Sequence, residues 1–205
     1  MTDSISRRRA LQAITGAGLG AALVSLAACS PESDALAEQA DAGDDKGYIA
    51  GDGVITQVES GKRGDPIVAA GETLDGKAFS LEDWRGQVVV LNLWYAACPP
   101  CRKEAPGLQA NYERFKEDDV VFLGVNVRDA KDAALAFEKT FGISYPAMLD
   151  SDGKMVSALN GALPPQATPS TLVLDHEGRP AARVVGEVDE STLKALIGDV
   201  LDEEA

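Results

Sequence analysis

Basic residues are scarce in this sequence. Nineteen Lys and Arg stand against 33 Asp and Glu, giving a formal net charge of −14, and there is a single histidine, His176. Nothing forms a basic stripe able to displace counterions from phosphates, so nucleic acid is excluded as a partner. The acidic excess reads mostly as solvated surface. Cysteine is equally sparse, with only Cys29, Cys98 and Cys101. A small fold stapled by disulfides would need more cysteines, more evenly spread. No internal repeat is present. The length of 205 residues suits one domain with a sizeable core plus extensions, rather than two full domains.

What is present begins with an address. Residues 1–28 carry a basic start, Arg7-Arg8-Arg9, and an Ala/Gly-rich apolar run from Ala10 to Ala28, the pattern of an export signal. Ser6 to Gln12 resembles the twin-arginine export pattern, with Ala10 where a large apolar residue is usual, and general export is the alternative. Leu26-Ala27-Ala28-Cys29 resembles the lipobox of bacterial lipoproteins, which implies lipidation of Cys29 and removal of the signal before it. A spanning anchor is the competing reading, since the run is at the lower end of spanning length, but Gln12, Thr15 and several glycines weaken it. Either way, the remainder is expected outside the cytoplasm. Residues 29–53 are rich in Ala, Asp, Glu and Gly without an apolar period, and are read as a flexible acidic tether reaching roughly 25–30 Å. Residues 54–205 form the expected globular domain.

In that domain Val54–Val58 and Ile67–Ala69 read as short strands. Asp75-Gly76 is a hairpin turn signal within Leu74–Phe79, and Ser80 can cap a short turn through Trp84. Gln87–Trp94 is apolar apart from Asn92, as expected of a central strand covered on both faces. It delivers the chain to Cys98-Pro99-Pro100-Cys101. Pro99 suits the first turn of a helix, expected to run to about Glu117 with a kink at Pro106. A second buried strand is expected at Val120–Val127, a helix at Asp129–Phe141 ended by Gly142, a short strand at Tyr145–Leu149, and a short helix from Lys154 to about Asn160. Ser170–Leu174 and Ala181–Val185 read as strands of a hairpin, and Glu187–Leu201 as a closing helix with Leu193, Leu196, Ile197 and Val200 on one face. The pattern is an α/β domain with a mixed sheet.

The stretch from Gly64 to Leu201 resembles the thioredoxin fold, and more closely the TlpA/ResA branch of membrane-tethered extracytoplasmic thiol-disulfide oxidoreductases. Four features carry the resemblance: Asn92-Leu93-Trp94 feeding Cys98-Pro99-Pro100-Cys101, Glu104 three residues on, the extra helix and strand at 129–149, and Thr168-Pro169 before the terminal hairpin. The resemblance implies a thioredoxin-like fold with an N-terminal hairpin and a central helix-strand insertion. It also implies disulfide exchange, with exported thiol proteins, including apocytochrome c, as substrates and a membrane protein as electron donor. Ala97 departs from the pattern, since many relatives have tryptophan before the first cysteine.

Thiolate rather than thiol attacks a disulfide, and Cys98 at a helix N-terminus is favoured as the anion. Cys98 is therefore assigned as nucleophile and Cys101 as the resolving thiol. Glu104 lies one helical turn past Cys101, and the resemblance implies a proton-handling role for it. Its alternative is an exposed helix-surface residue. Asn92 stands where cytoplasmic thioredoxins have a buried aspartate. The resemblance makes Pro169 a cis-proline facing the dithiol, with Thr168 offering backbone groups to a target strand and Pro99 and Pro100 flanking it. Trp94 and Tyr95 either border the site or belong to the core, and Arg102 and Lys103 either form a solvated face or tune the thiolate. The only cofactor is the Cys98–Cys101 pair itself. Zinc would need a second ligand pair. A Sco-type copper module would want three residues between the cysteines and a histidine ahead of the following strand. A thiol peroxidase would want proline and a hydroxyl residue where Leu91 and Tyr95 stand.

Overall fold

From Val88 to Trp94 every residue is buried, as the unbroken apolar run requires of a strand covered on both faces. This strand, β4, is central in a computed structural model that describes residues 48–164 and 167–203. Cys29, the expected export signal and most of the expected tether lie outside the described residues. Before β4 come β1 (Val54–Gln57), β2 (Ala70–Glu72) and β3 (Ala78–Ser80). After it follow α1 (Pro99–Phe115), β5 (Val120–Asn126), α2 (Lys131–Phe141), β6 (Ala147–Leu149), α3 (Lys154–Ala158), β7 (Ser170–Leu174), β8 (Pro180–Val185) and α4 (Glu190–Leu201).

Six strands form one sheet in the order β1-β8-β7-β4-β5-β6, and β2 and β3 form a separate hairpin. β4, β5 and β6 are parallel neighbours, joined by the helical crossovers that parallel pairing requires. β7 runs antiparallel to β4, and β8 and β1 continue antiparallel from it. Side chains alternate along β4 with the period of two that a strand imposes. Val88 and Val90 join Leu108 of α1 and Leu193, Leu196, Ile197 and Val200 of α4. Val89, Leu91 and Leu93 join Leu81, Met155 and Leu159 on the opposite face. The architecture is the thioredoxin-like α/β fold, a central mixed sheet flanked by helices.

Several boundaries differ from the expected ones for local reasons. No strand forms at 67–69. Ile67 donates its N–H to Gly178 O and its carbonyl accepts from the Arg85 guanidinium, and the hairpin pairs 70–72 with 78–80 instead. α1 continues through Pro106 to Phe115. α4 starts at Glu190 because Asp189 caps it, accepting from Thr192 N at 3.0 Å, while the backbone of Glu187 and Val188 is bonded elsewhere. Glu187 O accepts from Gly53 N at 3.0 Å. The last residues of the expected tether are therefore not a tether. Ile49 is buried and donates its N–H to Thr168 O at 2.7 Å, and a Cβ on Gly53 would lie 2.4 Å from Glu187 O. Free carbonyls on the domain and an apolar side chain draw 48–53 onto its surface.

Arg63, for which the sequence offered no reading, sits at the other end of the sheet. Its guanidinium bonds Asp175 at 2.9 Å, Glu203 at 2.5 and 2.6 Å, and Val58 O at 3.0 Å. The Arg63 and Asp175 side chains are 3% and 4% exposed, so removing one partner strands a buried charge, although Arg179 still bonds Asp175. Arg63→Ala is expected to lower the unfolding free energy by about 2–3 kcal/mol in urea titration. An unchanged midpoint would show that this network does not hold the β7–β8 turn to the C-terminus.

Candidate active site

β4 ends at Trp94, and four residues later Cys98 becomes the N-cap of α1. Pro99 takes the first helical position, where its missing N–H costs no bond. Cys98 and Cys101 are joined in a disulfide with Cα atoms 5.3 Å apart. Cys98 Sγ accepts the Cys101 backbone N–H at 3.2 Å, so the sulfur is the capping acceptor of the helix. Once the disulfide is reduced, that N–H and the helix dipole act on a thiolate at Cys98 and favour its charge.

The loop before Cys98 is fixed by residues that sequence reasoning passed over. Asp129 Oδ2 accepts from Ala96 N at 2.6 Å and from Asn126 Nδ2 at 2.8 Å, and Asn126 Oδ1 accepts from Asp129 N at 2.8 Å. Asn126 ends β5 beside Trp94. Its signal in the sequence is a polar residue closing an apolar run. Because Asp129 is engaged here, α2 begins at Lys131 rather than at Asp129. Arg128 lies 4.7 Å from the Tyr95 ring centroid, and Arg102 donates to Ala96 O at 3.4 Å while lying over Phe141.

Thr168 and Pro169 are joined by a cis peptide bond. Ser170 pairs with Leu93 across β7 and β4, and the two strands are antiparallel. The segment entering β7 therefore lies at the same end of the sheet as the segment leaving β4 for Cys98. His176, which a copper module would need near the dithiol, is in the turn after β7, at the opposite end. Among the described residues no three His, Cys, Asp or Glu side chains are gathered as metal ligands would be.

The remaining predicted residues divide by depth. Pro99 is exposed, whereas Pro100, Thr168 and Pro169 are buried. Trp94 is core: its ring centroid lies 4.4 Å from that of Phe137, and a Cβ on Gly124 would come within 2.9 Å of its Nε1. Lys103 pairs with Glu187 at 2.7 Å.

Glu104 is not a surface residue. It is 3% exposed, its Oε1 accepts from Asn92 Nδ2 at 2.8 Å, and its Oε2 accepts from Val188 N at 3.1 Å. Asn92 also donates to Thr171 Oγ1 at 3.2 Å. Burial pushes the Glu104 carboxyl up to about 8, with the bonds from Asn92 and Val188 opposing and nearby Glu187 adding to the rise. Burial disfavours the anion because the interior solvates charge poorly. A carboxyl one turn from Cys101 that changes protonation near neutrality can take a proton from that thiol or return it.

Known proteins place the domain in the class that this geometry defines, the thioredoxin-fold thiol-disulfide oxidoreductases. Residues 66–180 match the model of the AhpC/TSA family, and the chain belongs to that family. It is 34% identical over 122 residues to the thiol-disulfide oxidoreductase ResA of Bacillus subtilis, an alignment spanning 60% of this chain and 66% of that protein, just under two thirds of its length. A secreted thiol-disulfide isomerase from Corynebacterium glutamicum superimposes with a TM-score of 0.68 at 32% identity, covering 73% of this chain and 92% of that one. A DsbF homologue from Corynebacterium diphtheriae gives 0.65 at 35% identity, over 71% and 92%.

The placement of Glu104 has a consequence for stability. An unperturbed glutamate titrates near 4.5 and the folded one near 8, so between these values the folded protein holds a proton that the unfolded chain has released. The contribution is full below about pH 4.5 and is lost as the pH rises through about 8. Urea unfolding of the oxidised protein should show stability falling from pH 5 to pH 9. Glu104→Gln should flatten that slope, gaining on the order of a few kcal/mol over wild type at pH 9. Parallel slopes for the two proteins would refute the assignment.

Proposed function

We propose that this protein is a lipid-anchored reductase that works outside the cytoplasm on disulfides of exported thiol proteins, apocytochrome c among them. The observation that carries the reading is the Cys98–Cys101 pair capping α1, backed by a buried carboxyl of raised pKa. Cys98 thiolate attacks a target disulfide, forming a mixed disulfide and releasing one target thiolate. Cys101 then gives up its proton, with the ionised form of Glu104 as acceptor, and its thiolate attacks Cys98 Sγ. The mixed disulfide breaks, the second target thiolate leaves, and the Cys98–Cys101 bond forms. Two electrons pass from the dithiol to the target, and a membrane electron-donor protein restores the dithiol by the same exchange in reverse order.

Export rests on Arg7-Arg8-Arg9 and the apolar run after it, and anchoring rests on Leu26-Ala27-Ala28-Cys29, in which Cys29 would carry the lipid. Acyl chains at that cysteine would hold the domain at the extracytoplasmic face of the cell membrane without a basic patch. The relatives named for thiol-disulfide exchange support the chemistry, and the similarity to the C. glutamicum protein, a secreted isomerase, is compatible with the location.

Cys101→Ser removes the resolving thiol and leaves the attacking one. In cells this variant should accumulate mixed disulfides through Cys98, seen as larger species on a non-reducing gel that collapse on reduction and are absent from the Cys98→Ser, Cys101→Ser double variant. An identical pattern in the single and double variants would mean that Cys98 attacks no target.

A further inference from the structure

The attacking sulfur is closed off in this structure. Cys98 is 0% exposed, and Thr168 and Pro169, at the same end of the sheet, are buried as well. A target disulfide cannot reach Cys98 until something moves. The segment just ahead of β1 lies over this end of the sheet. Ile49 donates its backbone N–H to Thr168 O at 2.7 Å, using the carbonyl immediately before the cis-proline. Tyr48 packs against the cluster that contains Trp94, Tyr95, Cys98 and Cys101.

The segment is seated along its length. Gly53 N donates to Glu187 O at 3.0 Å, and Asp52 forms a parallel bridge with Glu187. A Cβ added to Gly186 would lie 3.1 Å from Gly53 Cα and 3.5 Å from Ile49 Cγ2. Gly186 N is itself bonded to Pro169 O at 2.9 Å. The strap therefore rests directly on the glycine that holds the cis-proline loop. Extended chains bind sheet edges and loops through main-chain hydrogen bonds, with side chains filling neighbouring pockets. Ile49 supplies such a bond to Thr168, and Tyr48 and Ile49 supply the side chains.

We propose that Tyr48–Ile49 is a built-in competitor, occupying the backbone position on the Thr168-Pro169 loop that a target polypeptide must take, so that release of this strap is a step in target capture. The inference rests on the disulfide-exchange reading above. It gives the segment joining the expected tether to β1 a role at the site, because these residues bond the carbonyl before the cis-proline and pack against the cluster that contains the dithiol. Ahead of the anchor at Asp52 and Gly53, Tyr48 and Ile49 are held by one main-chain bond and two side chains, an attachment that can open locally without unfolding the domain.

The test uses the full-length oxidised protein and a ten-residue peptide with one cysteine. The peptide thiolate attacks Cys98 Sγ, Cys101 leaves as a thiolate, and a second peptide thiol completes the reduction and leaves as peptide disulfide; alkylation of the freed cysteines follows the rate. Ile49→Pro removes the donated N–H, and Tyr48→Ser removes the ring. Ile49→Pro should react roughly three- to tenfold faster than wild type, the range that loss of one backbone hydrogen bond gives. Tyr48→Ser should also be faster, and it carries the test alone if near-ultraviolet circular dichroism shows that Ile49→Pro has lost its tertiary packing. Rates equal to or below that of wild type would overturn the strap while leaving the redox reading intact. No exchange in any of the proteins would overturn both.

Discussion

The Glu104 carboxyl, 3% exposed, is held between the Asn92 amide of β4 and the Val188 N–H that precedes α4. Asn92 reaches on to Thr171 in β7. One buried acid thus joins the helix that carries the dithiol to the central strand, to the strand that follows the cis-proline, and to the start of the closing helix. Such a group is costly to bury unless its bonds are made. The interior disfavours its anion, so it sits protonated over much of the pH range in which thiols exchange. Stability and chemistry are coupled at this point, because the burial that raises its pKa also suits it to exchange a proton with Cys101.

Around that acid the site is assembled from backbone. Cys98 caps α1 with its sulfur, Asp129 and Asn126 fix the loop that delivers it, and β7 enters the sheet beside the end of β4. The side chains the chemistry needs are few, and the rest of this end of the sheet is packing. Trp94, Phe137 and Ala147 form a floor in one cluster with Cys98 and Cys101. Lys103 and Glu187 lie further out, the lysine largely in solvent. Tyr48 packs against the same cluster, and Ile49 bonds the carbonyl of Thr168.

The main elements were legible from periodicity and punctuation. The unbroken run 88–94, the cysteine pair with its prolines, and the leucine stripe of α4 each report a buried strand, a helix start and a helix face through local pattern alone. Glu104 was placed on the right helix by spacing, but its burial was not legible, because it depends on Asn92 and on the backbone of Val188, 84 residues away. Asp129 and Asn126 were missed for a similar reason: a carboxylate accepting the N–H of Ala96, 33 residues earlier, leaves no periodic trace. Residues 48–53 looked like tether by composition. Their docking depends on acceptors at Thr168 and Glu187 that only the folded sheet presents.

The central claim is that the Cys98–Cys101 pair serves reduction. The measurement that bears on it most directly is the equilibrium reduction potential of this pair in the full-length protein at neutral pH, set against a glutathione or dithiothreitol buffer. The account predicts a value at or below that of thioredoxin, about −270 mV, where the dithiol gives its electrons to target disulfides. A value near that of the strongly oxidising DsbA, about −120 mV, would contradict it and make the protein a donor of disulfides.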